Sequence, residues 1–195
     1  MFFYPNRPTL VPPDPNNPEN PKAYYVRGLE KTGRYVAEKK WNGENTTIET
    51  GSKISFWNRY GKPLKYYPDT ETLDELSKLP KGLQLNVELM HHKTKEIKHI
   101  LIAHCCMVYK GQPLIGKIWG ESRKIVEDLP FGKHLILSEL YHDRFWELFQ
   151  EADGKTVEGI ILKDPTGRLV ISTSPIPDVS WMLKIRKPRS GVYLY

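Results

Sequence analysis

Residues 34–57 read RYVAEKKWNGENTTIETGSKISFW. The segments 34–38, 45–49 and 53–57 have the composition of strands, and they are separated by Asn42-Gly43 and Gly51-Ser52. Asn-Gly and Gly-Ser pairs are typical of tight turns between strands. The stretch therefore predicts three consecutive strands of a sheet, with Lys40 just before the first turn.

The rest of the chain continues this pattern of many strands and few helices. In 83–89, apolar residues alternate with polar ones, which predicts a strand with Asn86 and Glu88 on its polar face. Further strands are predicted over 99–109, 135–138, 157–163, 168–173 and 181–186. Helices are predicted over 69–79, before Pro80, and over 119–129 and 143–152. These elements indicate an α+β fold with antiparallel sheets and flanking helices.

Residues 1–21 differ from the rest of the chain because they hold seven of its sixteen prolines. Proline fixes φ and removes a backbone donor, so we predict an extended N-terminal arm, which docks through its apolar residues. No repeat or linker follows, and residues 22–195 are predicted to form one domain. The chain has no apolar run of about 18 residues and no secretory leader, so we expect neither a membrane span nor secretion.

Charge and cysteine content narrow the class of protein. The net charge of +6 and the pI of about 9.1 favour polyanionic partners. On charge alone, a solvated basic surface with no ligand explains them equally well. Cys105 and Cys106 are the only cysteines, and they are adjacent within an apolar run. Adjacent cysteines suit neither a disulfide framework nor a metal site, so we expect buried thiols and a reducing cytoplasm.

Three short segments have residue types that suit phosphate chemistry, and each also has a simpler explanation. Lys40 before its turn can be held rigidly as a nucleophile, although an Asn-Gly turn is more often a plain hairpin. The Arg59-Tyr60-Gly61-Lys62 segment suits phosphate or ribose contact, or is only a basic turn. Glu88 suits a metal or ribose hydroxyls, or simply faces solvent from a half-buried strand.

Two later strands carry charged residues whose spacing predicts the sheet face on which each side chain lies. Glu158 and Lys163 lie five residues apart, so strand alternation predicts that they point to opposite faces. Lys184 and Arg186 share a face, where two cations repel each other unless an anion such as phosphate lies between them. The alternative is a solvated strand face on which both side chains extend into water.

Taken in order, these segments resemble the motifs of the covalent nucleotidyltransferase superfamily, which comprises DNA ligases, RNA ligases and mRNA capping enzymes. The resemblance runs from about Tyr35 to Lys187. The matching segments are Lys40-Trp41-Asn42-Gly43 for the nucleotidylation motif Lys-x-Asp-Gly, Arg59-Tyr60-Gly61 for the next motif, Asn86-Val87-Glu88-Leu89 for Asp-Gly-Glu-Leu, Glu158–Lys163 for the fourth, and Trp181–Lys187 for the last lysine-rich strand.

The resemblance implies a ligase-type nucleotidyltransferase domain, similar to the ATP-grasp fold, that uses ATP with Mg²⁺ or Mn²⁺. Lys40 would take AMP from ATP and pass it to a 5′-phosphate, and a 3′-hydroxyl would then displace it to seal a nick. The implied roles are Lys184 and Arg186 at the α-phosphate, Glu158 at the metal, Glu88 at ribose or metal, Glu38 at the adenine edge, Arg59 at ribose or the reacting end, His104 stacked on the purine, and Asn42, Gly43, Asn45 and Lys163 around the nucleotide.

This sequence departs from the family pattern in several places. Asn42 and Asn86 replace acidic residues, Arg186 replaces a lysine, and Asn45 replaces the arginine usual in DNA ligases. The last motif lies near the end of the chain. We therefore expect no oligonucleotide-binding domain in this chain. It is either a truncated piece of a longer protein, or a minimal enzyme that relies on its own surface or on a partner that supplies the second domain.

The resemblance leaves the substrate open between several classes. Nicked DNA is favoured because Gly111-Gln112-Pro113-Leu114 and the helix after it look more like DNA ligases, which serve repair or replication. Asn45 favours an RNA ligase. A capping guanylyltransferase fits the Arg59 segment less well. A non-catalytic nucleic-acid-binding module is the alternative from another class. We expect a monomer in the cytoplasm, either of its own cell or, for a phage or viral protein, of the host.

Overall fold

The computed structural model describes residues 1–12, 23–93, 96–170, 172–175 and 178–187. These residues form ten strands and four helices. In chain order they are β1 (Arg7–Leu10), α1 (Ala23–Lys31), β2 (Val36–Trp41), β3 (Glu44–Thr50), β4 (Ile54–Asn58), α2 (Thr70–Ser77), β5 (Gln84–Met90), β6 (Ile100–Tyr109), β7 (Gln112–Pro113), α3 (Trp119–Glu127), β8 (Leu135–Leu137), α4 (Phe145–Glu151), β9 (Val157–Lys163) and β10 (Asp178–Arg186).

The chain divides into two compact units, each built from separate segments. The first unit comprises Met1–Arg7, Gly43–Ser138 and Thr166–Pro177, and the second comprises Pro8–Asn42, Glu139–Pro165 and Asp178–Tyr195. The chain passes from the second unit to the first at the Asn42-Gly43 turn. The predicted division into an arm over 1–21 and a domain over 22–195 stays a prediction, because half of that arm lies outside the described residues.

The first unit is organised around a sheet in which the described strands follow the order β4-β3-β5-β6-β7, with β8 also paired to β6. Leu83, Leu85, Val87 and Leu89 all lie in its core, so the alternation predicted for 83–89 is confirmed. Strand pairing is antiparallel except between β6 and β8, which run parallel. Helices α2 and α3 supply Leu76 and Val126 to the same core.

The second unit contains a sheet in which the described strands follow the order β1-β10-β9-β2. Helices α1 and α4 cover one face of this sheet, where Val26 and Phe149 meet Ile160 and Leu162. Glu30 of α1 accepts hydrogen bonds from the backbone N–H groups of Arg144 and Phe145, at the first turn of α4. This carboxylate therefore caps the N-terminus of α4, whose own N-cap residue makes no side-chain capping hydrogen bond.

Two sequence predictions about elements need correction. The strand predicted over 168–173 is wrong for the described residues of that range, which form only single bridges between Arg168 and Ile118 and between Ser172 and Tyr4. Those partners belong to a loop and to the N-terminal segment, so the bridges do not extend into a continuous ladder of backbone hydrogen bonds. Helix α1 was not predicted, because only Val26 of its nine residues is fully buried and its apolar stripe is narrow.

Gly159 sets how closely β9 and β10 approach each other. Its φ is +151°, and a Cβ at this position would lie 2.1 Å from the carbonyl oxygen of Ile185. No side chain can be accommodated there without separating the two strands. A glycine in a strand interior often marks such a close approach of backbones.

We expect Gly159→Ala to lower the free energy of unfolding by about 2–5 kcal/mol, because the added methyl group overlaps backbone. Gly28→Ala in α1 is the matched control, since nothing lies within 4 Å of a Cβ at that exposed helical position. It is expected to be neutral or to stabilise by up to about 1 kcal/mol. Urea denaturation of both variants measures the difference, and equal stabilities would contradict the assignment.

Candidate active site

One face of the sheet in the second unit collects charged side chains. The opposite face packs on helices through Ala37, Ile160, Leu162 and Ile185. Because side chains alternate along a strand, the residues between these positions point the other way. The strand registers place five predicted site residues on this second face, namely Glu38, Lys40, Lys163, Lys184 and Arg186.

The registers also fix the order of these residues across the sheet. Lys40 of β2 pairs with Gly159 of β9, which pairs on its other side with Arg186 of β10. In the next row, Glu38 and Lys184 flank Ile161 in the same way. The predicted nucleophile and the two predicted phosphate ligands therefore share one surface, about 10 Å apart across two strand spacings.

Lys40 makes a close ion pair with Glu158. Its Nζ lies 2.6 Å from Oε2 of Glu158, and the carboxylate side chain is only 6% exposed. The prediction that Glu158 and Lys163 point to opposite faces is wrong. The register of β2 on β9 shifts between Lys40 and Trp41, so that Lys40 pairs with Gly159 but Trp41 pairs with Val157. Glu158 is the extra residue of this β-bulge, and bulges redirect side chains.

Glu38 and Lys163 form a second ion pair on the same face. Nζ of Lys163 donates to Oε2 of Glu38 at 2.8 Å, and the side chains are 3% and 1% exposed. Buried charges of this kind must be paired, because an isolated one is costly to desolvate. Lys163 therefore fixes the orientation of the carboxylate predicted to meet the adenine edge.

Gly159 is a feature of this face that sequence reasoning did not single out. It occupies the central position between Lys40 and Arg186, and the backbone of β10 takes up the space that a side chain would need there. A glycine inside a predicted strand was the available sign, since such a residue weakens a strand unless close approach requires it.

In the first unit, Asn45 and Glu88 are direct cross-strand partners on β3 and β5. Gly43, at the start of this pairing, allows the strands to meet closely. A Cβ at Gly43 would lie 2.6 Å from the carbonyl oxygen of Leu89 and 2.7 Å from Cγ of Glu88. Any side chain at position 43 would therefore displace Glu88 or its strand.

Asn86 lies on the same polar face as Glu88 and pairs its amide with that of Asn45. Nδ2 of Asn86 donates to Oδ1 of Asn45 at 3.1 Å and lies 3.3 Å from the carbonyl oxygen of Thr46. Asn45 donates in return at 3.4 Å. Two positions at which the sequence departs from the family pattern are thus in contact with each other.

The remaining predicted residues occupy other places in their units. His104, half-buried, is the extra residue of a bulge in β6, where Asn86 pairs with Cys105 and Val87 with Ala103. Arg59 follows the last residue of β4 and stacks on the ring of Tyr60, with its carbon Cζ 4.8 Å from the ring centroid. Asn42 holds the turn before β3, where Nδ2 donates to the carbonyl of Lys155 at 2.7 Å.

The side chains near Lys40 include few possible metal ligands, so they suit a metal ion that binds few protein groups. Among the described residues, no three His, Cys, Asp or Glu side chains converge to hold a metal ion. Glu158 is the carboxylate nearest the predicted nucleophile. Mg²⁺ is commonly bound by one or two carboxylates together with substrate phosphates and water, so a single carboxylate fits this ion.

None of the helices in the described part is long and apolar enough to span a membrane.

Comparison with solved structures identifies the fold. The ligase domain of LigD from M. tuberculosis superposes with a TM-score of 0.64 at 16% identity over 93% of this chain. Mycobacterial DNA ligase D complexed with ATP gives 0.67 at 17% identity over 95%. The chain has the fold of ATP-dependent ligase domains. The ATP-dependent DNA ligase of bacteriophage T7 gives 0.55 at 15% identity over 94% of the chain.

This ligase fold is carried by a divergent sequence. No protein-family model matches the chain, and no curated protein sequence matches it either. The chain spans 59% and 60% of the two LigD structures and 68% of the T7 ligase. The predicted ligase-type fold is confirmed, and so is the α+β class.

We expect Asn86→Asp to destabilise this ligase fold by about 1–3 kcal/mol at pH 7. A carboxylate has no donor, so it would face the carbonyl oxygen of Thr46 and Oδ1 of Asn45 at a position that is only 7% exposed. Urea denaturation measures the change.

The double variant Asn45→Arg/Asn86→Asp tests the pairing itself. An arginine at position 45 supplies donors to the new carboxylate, so the double variant is expected to be more stable than Asn86→Asp alone. If the two substitutions were simply additive, the amide pair would not be the interaction that couples these positions.

Proposed function

We propose that this chain is the catalytic domain of an ATP-dependent polynucleotide ligase in which Lys40 forms a covalent lysyl-AMP intermediate. The observation that carries the proposal is the position of Lys40, 2.6 Å from Glu158 and on one sheet face with Lys184 and Arg186. The ligase fold supports it, and so does the resemblance of Lys40-Trp41-Asn42-Gly43 to the nucleotidylation motif.

The ion pair with Glu158 is the resting arrangement of the nucleophile. Attack on phosphorus needs a lone pair on Nζ, so Lys40 has to leave its contact with Glu158 before it reacts. Lys184 and Arg186 lie on the same sheet face, where they can meet the phosphate. Mg²⁺ held by Glu158 would supply positive charge to the phosphate oxygens.

The first step then exchanges one bond for another at the α-phosphorus of ATP. Nζ of Lys40 attacks this phosphorus, the phosphorus–nitrogen bond forms, and the bond to the bridging oxygen of pyrophosphate breaks. Pyrophosphate leaves with the electron pair. Lys184 and Arg186 would contact the non-bridging oxygens, where negative charge is spread during phosphoryl transfer.

The later steps define the ligase activity. The AMP passes from Lys40 to the 5′-phosphate of a nick, and the 3′-hydroxyl displaces AMP as the phosphodiester forms. The contact of Glu38 with adenine stays a prediction, and Lys163 holds this carboxylate in place. The roles of Gly43, Asn45, Arg59, Glu88 and His104, and that of Asn42, stay predictions from the family resemblance.

DNA is the favoured polymer. The solved structures similar in fold include the LigD ligase domain and the T7 enzyme, both named as DNA ligases. RNA is the second candidate, because Asn45, paired with Asn86, stands where DNA ligases usually carry arginine. Sealing of nicked DNA compared with nicked RNA, each carrying one 5′-phosphate, distinguishes the two.

Incubation with α-labelled ATP and Mg²⁺, followed by a denaturing gel, tests the nucleophile. We expect label on the protein, and none on Lys40→Ala. Lys39→Ala is the matched control, because Lys39 lies on the opposite face of the same strand, over the ring of Tyr141. It is expected to keep the label.

Glu158→Gln is expected to reduce labelling at least tenfold while the protein stays folded, as followed by circular dichroism. Labelling from GTP but not ATP would identify a capping guanylyltransferase. If Lys40→Ala were labelled as well as the wild type, or if the wild type took no label from either nucleotide, the proposal would be wrong.

A further inference from the structure

The segment from Arg59 to Tyr67, which we call the 59–67 loop, presents cations and aromatic rings to solvent. It connects β4 to α2 in the first unit. Tyr60 is 60% exposed and Tyr67 is 84% exposed. Lys62 and Lys65 are exposed between them, and Arg59, just before Tyr60, is exposed as well.

The first half of this loop is held rigidly by a single asparagine. Oδ1 of Asn58 accepts hydrogen bonds from the backbone N–H groups of Tyr60 and Lys62, at 2.9 and 3.1 Å. The backbone N–H of Asn58 donates to the carbonyl of Lys62 at 2.9 Å. Gly61, with φ +69°, completes the turn.

The N-terminal segment packs beneath this turn. A Cβ at Gly61 would lie 2.9 Å from the ring of Phe2, which leaves no room for a side chain. The hydroxyl of Tyr4 donates to the carbonyl of Tyr60 at 3.2 Å. Phe2 also packs against Trp57 of β4 with its ring tilted, and the two ring centroids are 6.0 Å apart. The exposed rings are therefore presented on a supported backbone.

The second half of the loop is anchored by residues that alternate with the exposed ones. Leu64 packs on the core of the first unit, and Tyr66 is 5% exposed. The ring of Tyr66 meets Phe56 edge-on at 5.0 Å, and its hydroxyl lies 3.0 Å from Nδ1 of His99. Lys65 and Tyr67 point outward on either side of this buried tyrosine.

Among the described residues, no carboxylate neutralises the cations of this loop. Within the part of the chain that the structure describes, neither Arg59, Lys62 nor Lys65 is ion-paired with an acidic side chain. Arg59 instead stacks on Tyr60 and donates to its hydroxyl at 2.6 Å. A surface that presents both unpaired cations and exposed rings suits a strand of nucleic acid, which offers phosphates to the cations and bases to the rings.

We propose that the 59–67 loop is a binding surface for unpaired nucleotides of a polynucleotide, with Lys62 and Lys65 on the phosphates and Tyr67 and Tyr60 stacked on bases. This rests on the proposed function and adds the place at which the first unit holds the polymer. An exposed tyrosine face accepts any base, so the contact is independent of sequence.

Binding of a fluorescent single-stranded oligothymidine, measured by anisotropy over a series of salt concentrations, tests the surface. For Lys62→Ala/Lys65→Ala we expect weaker binding, and a slope of log affinity against log salt that is smaller by about 1.4, or about 0.7 for each lost phosphate contact. Lys78→Ala/Lys81→Ala removes two exposed lysines elsewhere in the same unit and is expected to change neither quantity.

Stacking is tested by Tyr67→Ala, which is expected to weaken binding roughly 5- to 150-fold, whereas Tyr67→Phe keeps the ring and the affinity. A blunt duplex of the same length is expected to be less affected by Tyr67→Ala, because its bases are already stacked.

The same preparations are assayed for lysyl-AMP formation, which separates the two proposals. Labelling that depends on Lys40, together with equal oligonucleotide affinity for wild type, Lys62→Ala/Lys65→Ala and Tyr67→Ala, would overturn the surface and leave the ligase proposal standing. Loss of binding in these variants without any labelling of the wild type would support the surface and contradict the catalytic proposal. A wild type that binds no oligonucleotide overturns the surface.

Discussion

The candidate active site depends on how β2 and β10 meet β9. Gly159 permits the backbone of β10 to approach to a distance that no Cβ allows, and one residue earlier the bulge at Glu158 turns a carboxylate toward Lys40. Without the close approach, Arg186 would lie farther from Lys40. Without the bulge, strand alternation would point Glu158 into the helices. Two adjacent residues thus determine both the charge next to Lys40 and how near the cations of β10 lie.

Charge pairing explains why so many ionisable groups can share this face. Glu38 and Lys163 are buried and satisfy each other, which limits the desolvation cost and keeps their orientation fixed. Glu158 and Lys40 form a pair of a different kind, because the side chain of Lys40 is 22% exposed whereas that of Lys163 is 3% exposed. In the first unit, Asn45 and Asn86 stand where the family pattern has an arginine and an acidic residue. Their side-chain amides hydrogen-bond to each other.

Most of the elements could be predicted from residue patterns. The strand at 157–163 has the predicted bounds, 83–89 alternates as expected, and Asp69 caps α2 through the N–H of Thr72. The failures have a common cause. Helix α1 and the segment 168–173 depend on what packs or pairs with them, and these partners are distant in sequence. Local propensity has no access to such partners.

The sequence by itself determined the turn at Asn42-Gly43, the lysine before it, and the order of motifs that resembles a ligase. These are local matters of backbone preference and residue type. Only the tertiary structure decided which side chains share a face, because that depends on strand register, and a bulge of one residue reverses the outcome. Glu158 illustrates this, since alternation pointed it away from the site and the register brought it to 2.6 Å from Lys40.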